Sequence, residues 1–340
     1  MIALRRSLTV LALLALTACA SVTALPPVAA PLPGWTVGAA GTRPVGLGLP
    51  FGATLADGVR FAGGVEIVLD DTSPLHSLSD LKLTGDGEGF VSVSDAGDLV
   101  RGDLVLNSHG RLTGVTGLQH RRLTLLDGQP ITEKRDGDAE GLAITPSGDV
   151  LVSFERDHRI WNYGSAERLH TTPAVLPRPD FAFTNNDGME GIALTHAARC
   201  DEATVACLRV AGESGGVWDC FTGSCAVVTP PPPTPLTDAD FRITGLDRDP
   251  SGQGWFVQQR SFRAPADVRA QIRRMAPDGT LGPVLVALKF PGTTDNFEGL
   301  AAVARDGGTR LYILSDDNTS KKQRTLLLAF DVVTRTPARS

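Results

Sequence analysis

The chain has 340 residues, 42% hydrophobic and 21% charged, with 38 acids against 32 bases and a formal charge of −6. This balance excludes a disordered chain, and an acidic surplus gives no electrostatic footprint for nucleic acid. With aromatics at 6%, 37 glycines and 23 prolines, a coiled coil and a multi-span membrane protein are also excluded; the length suits one large domain or two ordinary ones.

In chain order, the first feature is an address. Arg5 and Arg6 precede an apolar run, Ser7 to Ala18, that is too short to span a bilayer. It ends in Leu16-Thr17-Ala18-Cys19, which resembles the lipobox of bacterial lipoproteins. The resemblance implies a leader over 1–19, lipidation of Cys19 and a membrane-held exported protein; an ordinary signal peptide is the alternative. Ala20 and Ser21, rather than Asp, follow the cysteine, which by the same analogy implies the outer membrane, facing the periplasm. Residues 20–44, rich in Pro and Ala, read as a tether, and 45–336 as the folded domain.

A repeat organises that domain. Ala139-Glu140-Gly141-Leu142, Met189-Glu190-Gly191-Ile192 and Phe297-Glu298-Gly299-Leu300 share a pattern at intervals of 50 and 108 residues. The longer interval is twice 54, and Ile243-Thr244-Gly245-Leu246 stands at its midpoint; Leu78-Ser79-Asp80-Leu81 lies one step before Glu140. Each copy continues as strand, Gly-containing turn, strand: Pro146-Ser147-Gly148-Asp149 and Pro250-Ser251-Gly252-Gln253 are two such turns. A period of 50–60 residues predicts an all-β chain, a β-propeller of about six blades, with Val59 to Leu69 in the sixth and the two chain ends closing the ring. Two β-sandwiches are the rival, but they give no reason for equal spacing.

The first two strands of a blade are antiparallel, so the start of one lies beside the end of the other. Glu140 therefore meets Glu155, Glu190 meets Glu213, Glu298 meets Asp316, Asp317 and Asn318, and Asp80 meets Asp95. Glu is a poor strand residue, and its recurrence at one register points to carboxylates gathered at one channel mouth. Such a group repels itself or holds a cation; oxygen donors suit Ca²⁺ best. The expected metal ligands are Glu140, Glu190, Glu298 and Asn318. Glu155, Asp316 and Asp317 would complete the shell or act as base, and Arg260 and Arg263 would orient an anionic substrate. The alternative is that these acids pair with arginines such as Arg156, Arg260 and Arg263.

Apart from Cys19, the cysteines are Cys200, Cys207, Cys220 and Cys225. In an oxidising compartment an even number favours disulfides, and of three connectivities the local one, Cys200–Cys207 with Cys220–Cys225, is preferred over zinc binding. Gly212-Glu213-Ser214-Gly215-Gly216 fits the G-x-S-x-G pattern, but no helix start follows, so Ser214 is not expected to be a nucleophile. The six histidines show no ligand pairing.

Asn186-Asp187-Gly188-Met189-Glu190-Gly191-Ile192, Asp295-Asn296-Phe297-Glu298-Gly299-Leu300 and Leu311-Tyr312-Ile313-Leu314-Ser315-Asp316-Asp317-Asn318 together resemble the phytase-like family, "esterase-like activity of phytase". Gln259-Arg260-Ser261-Phe262 is similar to the family's Glu-Arg-Ser-Phe, with Gln for Glu. The resemblance spans about residues 45–335 and implies an exported propeller that hydrolyses phosphoesters or related esters. The expected protein is a monomer with a small anionic ester as partner, calcium as cofactor and its membrane contact through Cys19. A calcium-stabilised binding module and a lactonase-type propeller are the alternatives.

Overall fold

The computed structural model describes residues 23–24, 34–85, 87–185, 187–195 and 207–333. Cys19 with its leader, Asn186 and Cys200 lie outside the described residues. The chain is all-β in several sheets; the one helix among the described residues is a single turn, Lys134–Gly137.

Five antiparallel modules follow one another, each with four main strands; in module IV a fifth, Ala53–Leu55, pairs with the outermost. Module I is Leu78–Leu83, Gly89–Ser94, Asp98–Leu106 and Leu112–Arg122; module II is Ala139–Ile144, Asp149–Phe154, Arg159–Ser165 and Ala174–Leu176. Module III is Gly191–Leu194, Leu208–Ala211, Val217–Phe221 and Ser224–Thr229; module IV is Arg242–Arg248, Trp255–Arg263, Asp267–Met275 and Leu281–Lys289. Module V takes three strands from the C-terminal end, Asn296–Arg305, Gly308–Asp316 and Thr325–Val333, and its fourth, Val59–Val68, from the N-terminal part. Modules I and V share a sheet only through one parallel bridge, Gly63 to Leu112.

The expected sixth module is therefore corrected. Val59–Val68 forms no hairpin of its own but pairs with Thr325–Val333, which would otherwise be an open edge. The folded body also begins before residue 45. Trp35 is buried under the Arg101 guanidinium, and Gly41–Pro44 pairs with Val65–Val68.

The strands near the middle are apolar on both faces because each sheet is covered twice. Gly89–Ser94 and Val150–Phe154 are buried throughout. One apolar cluster lies between each pair of neighbours. Val93 and Leu99 meet Leu142 and Val152; Leu151 and Ile160 meet Ile192 and Val210; Ala211 and Val217 meet Leu246 and Val257. Phe256 and Ile272 meet Phe297 and Leu300, and Tyr312 and Leu314 meet Leu81 and Phe90. The fifth interface returns to module I. The first strands likewise contact one another in the order I, II, III, IV, V and back to I.

The glycine of the repeated Glu-Gly pair permits this close approach. A Cβ on Gly141 would stand 2.8 Å from the Glu190 carbonyl oxygen, and one on Gly245 would stand 2.8 Å from that of Glu298. Gly191 and Gly299 face the next module in the same way. Neighbouring backbone cannot rotate aside, so Gly245→Ala is expected to cost about 1–3 kcal/mol of stability, read by urea unfolding. A cost near zero would show that the strands have room to spare.

Cys220 and Cys225 form a disulfide across the hairpin of module III. Cys207 is also disulfide-bonded.

Candidate active site

A β-bulge sets the site. Ala139 pairs with Phe154 and Gly141 with Ser153, leaving Glu140 as the extra residue; Phe297 and Gly299 bracket Glu298 in the same manner. Thr244 is bulged in module IV. In module I, Leu78 pairs with Ser94 and Asp80 with Val93, so the bulged residue is Ser79. A bulge re-aims one side chain without disturbing the rest of the ladder. The equivalent positions are thus Ser79, Glu140, Glu190, Thr244 and Glu298: three carboxylates and two hydroxyls. The ends of the second strands add Asp95, Glu155, Glu213, Arg260 and Asp316.

The acids lie within electrostatic reach of one another. Burial, then the charges of Glu190, Asp95, Glu298 and Glu155, push Glu140 well above its ordinary value. Burial, then Glu213, Glu155 and Glu298, do the same to Glu190. Burial and Asp316 raise Glu298, against Arg260. Burial, then Asp138 and Glu213, push Glu155 up to about 8, and burial and Asp95 push Asp316 up to about 7. Around Gly188, the Glu155 Cγ and Glu190 Oε1 both lie within 3.3 Å of where a Cβ would sit. Glycine there lets the two carboxylates converge.

Cations offset part of this charge. Lys134 bridges Asp95 at 2.8 Å and Asp138 at 3.2 Å, and Arg156 also binds Asp138. Arg242 binds Glu213, and Arg260 lies 3.3 Å from Glu213 and 3.5 Å from Glu298. Asn296 Nδ2 donates to Glu298 Oε1 at 2.9 Å. Glu140, Glu155 and Glu190 carry no side-chain hydrogen bond or ion pair among the described residues. One oxygen each from Asp95, Asp138 and Glu140 lie within 4.8 Å of one another.

Other residues singled out in the sequence stand elsewhere. Asp80 occupies the register of the repeated glycine, not that of the glutamates; Ser79 is the bulged residue here, as Glu140 is in module II. Asp317 is saturated, accepting from His76 Nδ1 at 2.6 Å, Ser77 N at 3.1 Å, Thr325 Oγ1 at 2.8 Å and Thr319 N at 3.0 Å. These bonds hold its carboxyl below the ordinary value despite burial, and it joins modules V and I rather than facing the acids. Asn318 is exposed, with φ of 48°, and its backbone N–H donates to Asp316 Oδ1 at 2.6 Å. Arg263 is exposed and donates to the Ala239 carbonyl at 3.2 Å; strand alternation turns it away from Arg260 and Phe262. Ser214 sits in the hairpin turn before the strand Val217–Phe221, so no elbow-to-helix geometry forms.

Lys134, Asp138 and Arg242 escaped the sequence reading. Asp138 had a signal, since it precedes Glu140 by two residues as Asn296 precedes Glu298.

A family model described as "Phytase-like: Esterase-like activity of phytase" matches residues 73–319. The chain belongs to the phytase-like family. No curated protein matches it. Among solved structures, this phytase-like chain is similar to one assigned as a gluconolactonase, at 12% identity over 87% of this chain and 94% of that one, TM-score 0.42. It is also similar to the allergen Mala s 1 of Malassezia sympodialis, at 12% identity over 82% and 90%, TM-score 0.43. A third is a catalytically inactive virginiamycin B lyase from Staphylococcus aureus with quinupristin, at 10% identity over 88% and 100%, TM-score 0.39.

The acidic pit of this phytase-like chain opens sideways into a cleft of about 850 Å³ between modules IV and V. Glu298, Asn296 and Arg260 line both. The opposite end has a smaller cavity of about 370 Å³ at Lys82, Ala143, Ala193 and Asp247. Between them the buried Asp80 carboxylate closes the middle, accepting from Leu142 N at 2.8 Å and Leu300 N at 3.2 Å.

Proposed function

We propose that this chain is a metal-dependent hydrolase of phosphoesters or related anionic esters, built as a closed five-bladed propeller. The observation that carries the reading is the set Glu140, Glu155 and Glu190: carboxylates within electrostatic reach of one another that carry no side-chain hydrogen bond or ion pair among the described residues, with Glu140 also grouped with Asp95 and Asp138. Uncompensated acids are costly to bury, and a hard divalent cation is the group that suits an all-oxygen donor set. We infer that these three, with Glu298, would hold Ca²⁺, while Lys134 and Arg156 already neutralise Asp95 and Asp138.

When bound, calcium supplies charge neutralisation of ester oxygens and a more acidic water. The chain's own groups do the rest. Arg260 has a buried Nε without a partner and stands beside Glu298, where it can donate to an anionic substrate. In the metal-free chain burial and the facing acids push Glu155 up to about 8, so calcium binding to it would release a proton near neutral pH. Export and anchoring of Cys19 at the outer membrane, with the protein acting as a monomer, complete the proposal.

The test is hydrolysis of aryl phosphates, phytate and aryl esters by folded protein, with calcium and after chelation. Turnover that calcium supports and chelation abolishes is expected. A folded, calcium-loaded sample without turnover on any of these would leave a binding module instead.

A further inference from the structure

The cleft beside the acidic pit has a mixed lining. Arg260, Lys322 and Arg324 stand among the carboxylates Asp238, Asp295 and Glu298, and Phe262, Val268 and Phe290 add an apolar wall. Phe262 is 38% and Phe290 57% exposed, although large aromatic side chains ordinarily bury most of their surface. The Lys322 ammonium has no side-chain partner among the described residues. Arg324 lies 3.4 Å from Asp295 and donates to the Thr294 carbonyl at 3.3 Å, which fixes its fork at the cleft. The volume is that of a small-molecule site. Arg324 is held by Asp295, and Arg260 by Glu213 and Glu298, so the Arg260 Nε and the Lys322 ammonium are the donors left for an anion beside the aromatic surface.

We propose that the cleft selects amphiphilic anionic esters. The anionic head would lie toward Arg260 and Lys322, near Glu298, and an alkyl or aryl group would lie on Phe262 and Phe290. The inference deepens the hydrolase reading by naming its substrate class, and rests on that reading for the chemical step after binding. A highly charged, wholly polar ester would leave the aromatic wall wet and would gain nothing from it. Apolar contact, by contrast, gains with every methylene covered.

The test uses alkylphosphonates of one to eight carbons, which keep the anionic head but cannot be hydrolysed at the P–C bond under the assay conditions. Binding is measured by calorimetry with calcium present. For the natural chain, affinity is expected to rise about two- to fourfold per added methylene until the wall is covered. Phe262→Ala and Phe290→Ala should flatten that dependence while the protein still unfolds cooperatively above the assay temperature, Phe290→Ala with the smaller loss of melting temperature because it is the more exposed. Lys322→Ala should weaken every member of the series by a similar factor. Affinity independent of chain length, no binding at all, or an unaltered dependence in both Phe variants overturns the proposal. The two readings fail separately. Calcium-dependent turnover with flat phosphonate binding removes the amphiphile and keeps the hydrolase. A steep phosphonate series without turnover on any ester keeps the cleft and removes the hydrolase.

Discussion

Asp80→Ala is expected to destabilise the protein by about 3–5 kcal/mol, the usual result of leaving a buried charge without its partner. Asp80 is fully buried. Its carboxylate accepts from Leu81 N at 2.7 Å, Leu142 N at 2.8 Å, Leu300 N at 3.2 Å and Lys82 Nζ at 2.7 Å. The bonds reach the first strands of modules I, II and V, so one side chain ties the point where the last module meets the first. Lys82 in turn donates to the Leu81 carbonyl at 3.1 Å and the Leu300 carbonyl at 2.9 Å. Burial pushes Asp80 up to about 6, against the Lys82 charge. The other modules have glycine at this register and pack backbone on backbone, whereas module I fills the same place with an ion pair. Adding Lys82→Met to Asp80→Ala should recover part of the loss by removing the orphaned ammonium. Urea unfolding reads both variants. A loss below about 1 kcal/mol for the single variant, the size of an ordinary surface change, would mean that Asp80 fills space without holding the strands.

The second large effect is on pH. Glu155 at about 8, Asp316 at about 7 and Asp80 at about 6 all ionise later in the folded chain than in the unfolded one. Between about pH 4.5 and 8 the folded state therefore binds more protons than the unfolded state, and stability falls as pH rises through that window. The melting temperature of metal-free protein is expected to be higher at pH 5 than at pH 8. Lys134, Arg156, Arg242 and Arg260 limit the fall but do not reverse it, since the acids facing them outnumber them. Saturating calcium should raise the melting temperature at pH 8 far more than at pH 5, because the ion binds the ionised carboxylates. Differential scanning calorimetry at both pH values, with calcium and with chelator, gives all four numbers. A metal-free melting temperature that rises from pH 5 to pH 8 would contradict the raised ionisation of Glu155, Asp316 and Asp80.

Much of the architecture was legible in the residues. Spacing of the Glu-Gly pairs located the modules, because each module needs a small residue where its neighbour packs and an outlying side chain at the mouth. The antiparallel pairing of Glu140 with Glu155 and of Glu298 with Asp316 came from hairpin length alone. The pairing of the two chain ends was legible too, although Val59–Val68 completes module V and has no further strands of a sixth. Asp80 was the nearest carboxylate in its copy, but Leu78-Ser79-Asp80-Leu81 aligns with Ala139-Glu140-Gly141-Leu142, and the shared bulge sets Ser79 at the mouth. Asp317 and Arg263 illustrate a different gap: alternation and turn geometry decide which of two adjacent charges faces a cavity, and a residue string does not carry the turn.

Glu140 and Glu190 are proposed to share a cation. Isothermal titration of calcium into the chelator-treated protein at about pH 7.5 tests this most directly, with Glu140→Gln/Glu190→Gln as the comparison. These substitutions keep shape and remove charge. The account predicts saturable binding to the natural chain, weakened at least about tenfold, or about 1.4 kcal/mol, in the double variant. Equal calcium binding by the two proteins, or none by the natural chain, would contradict it.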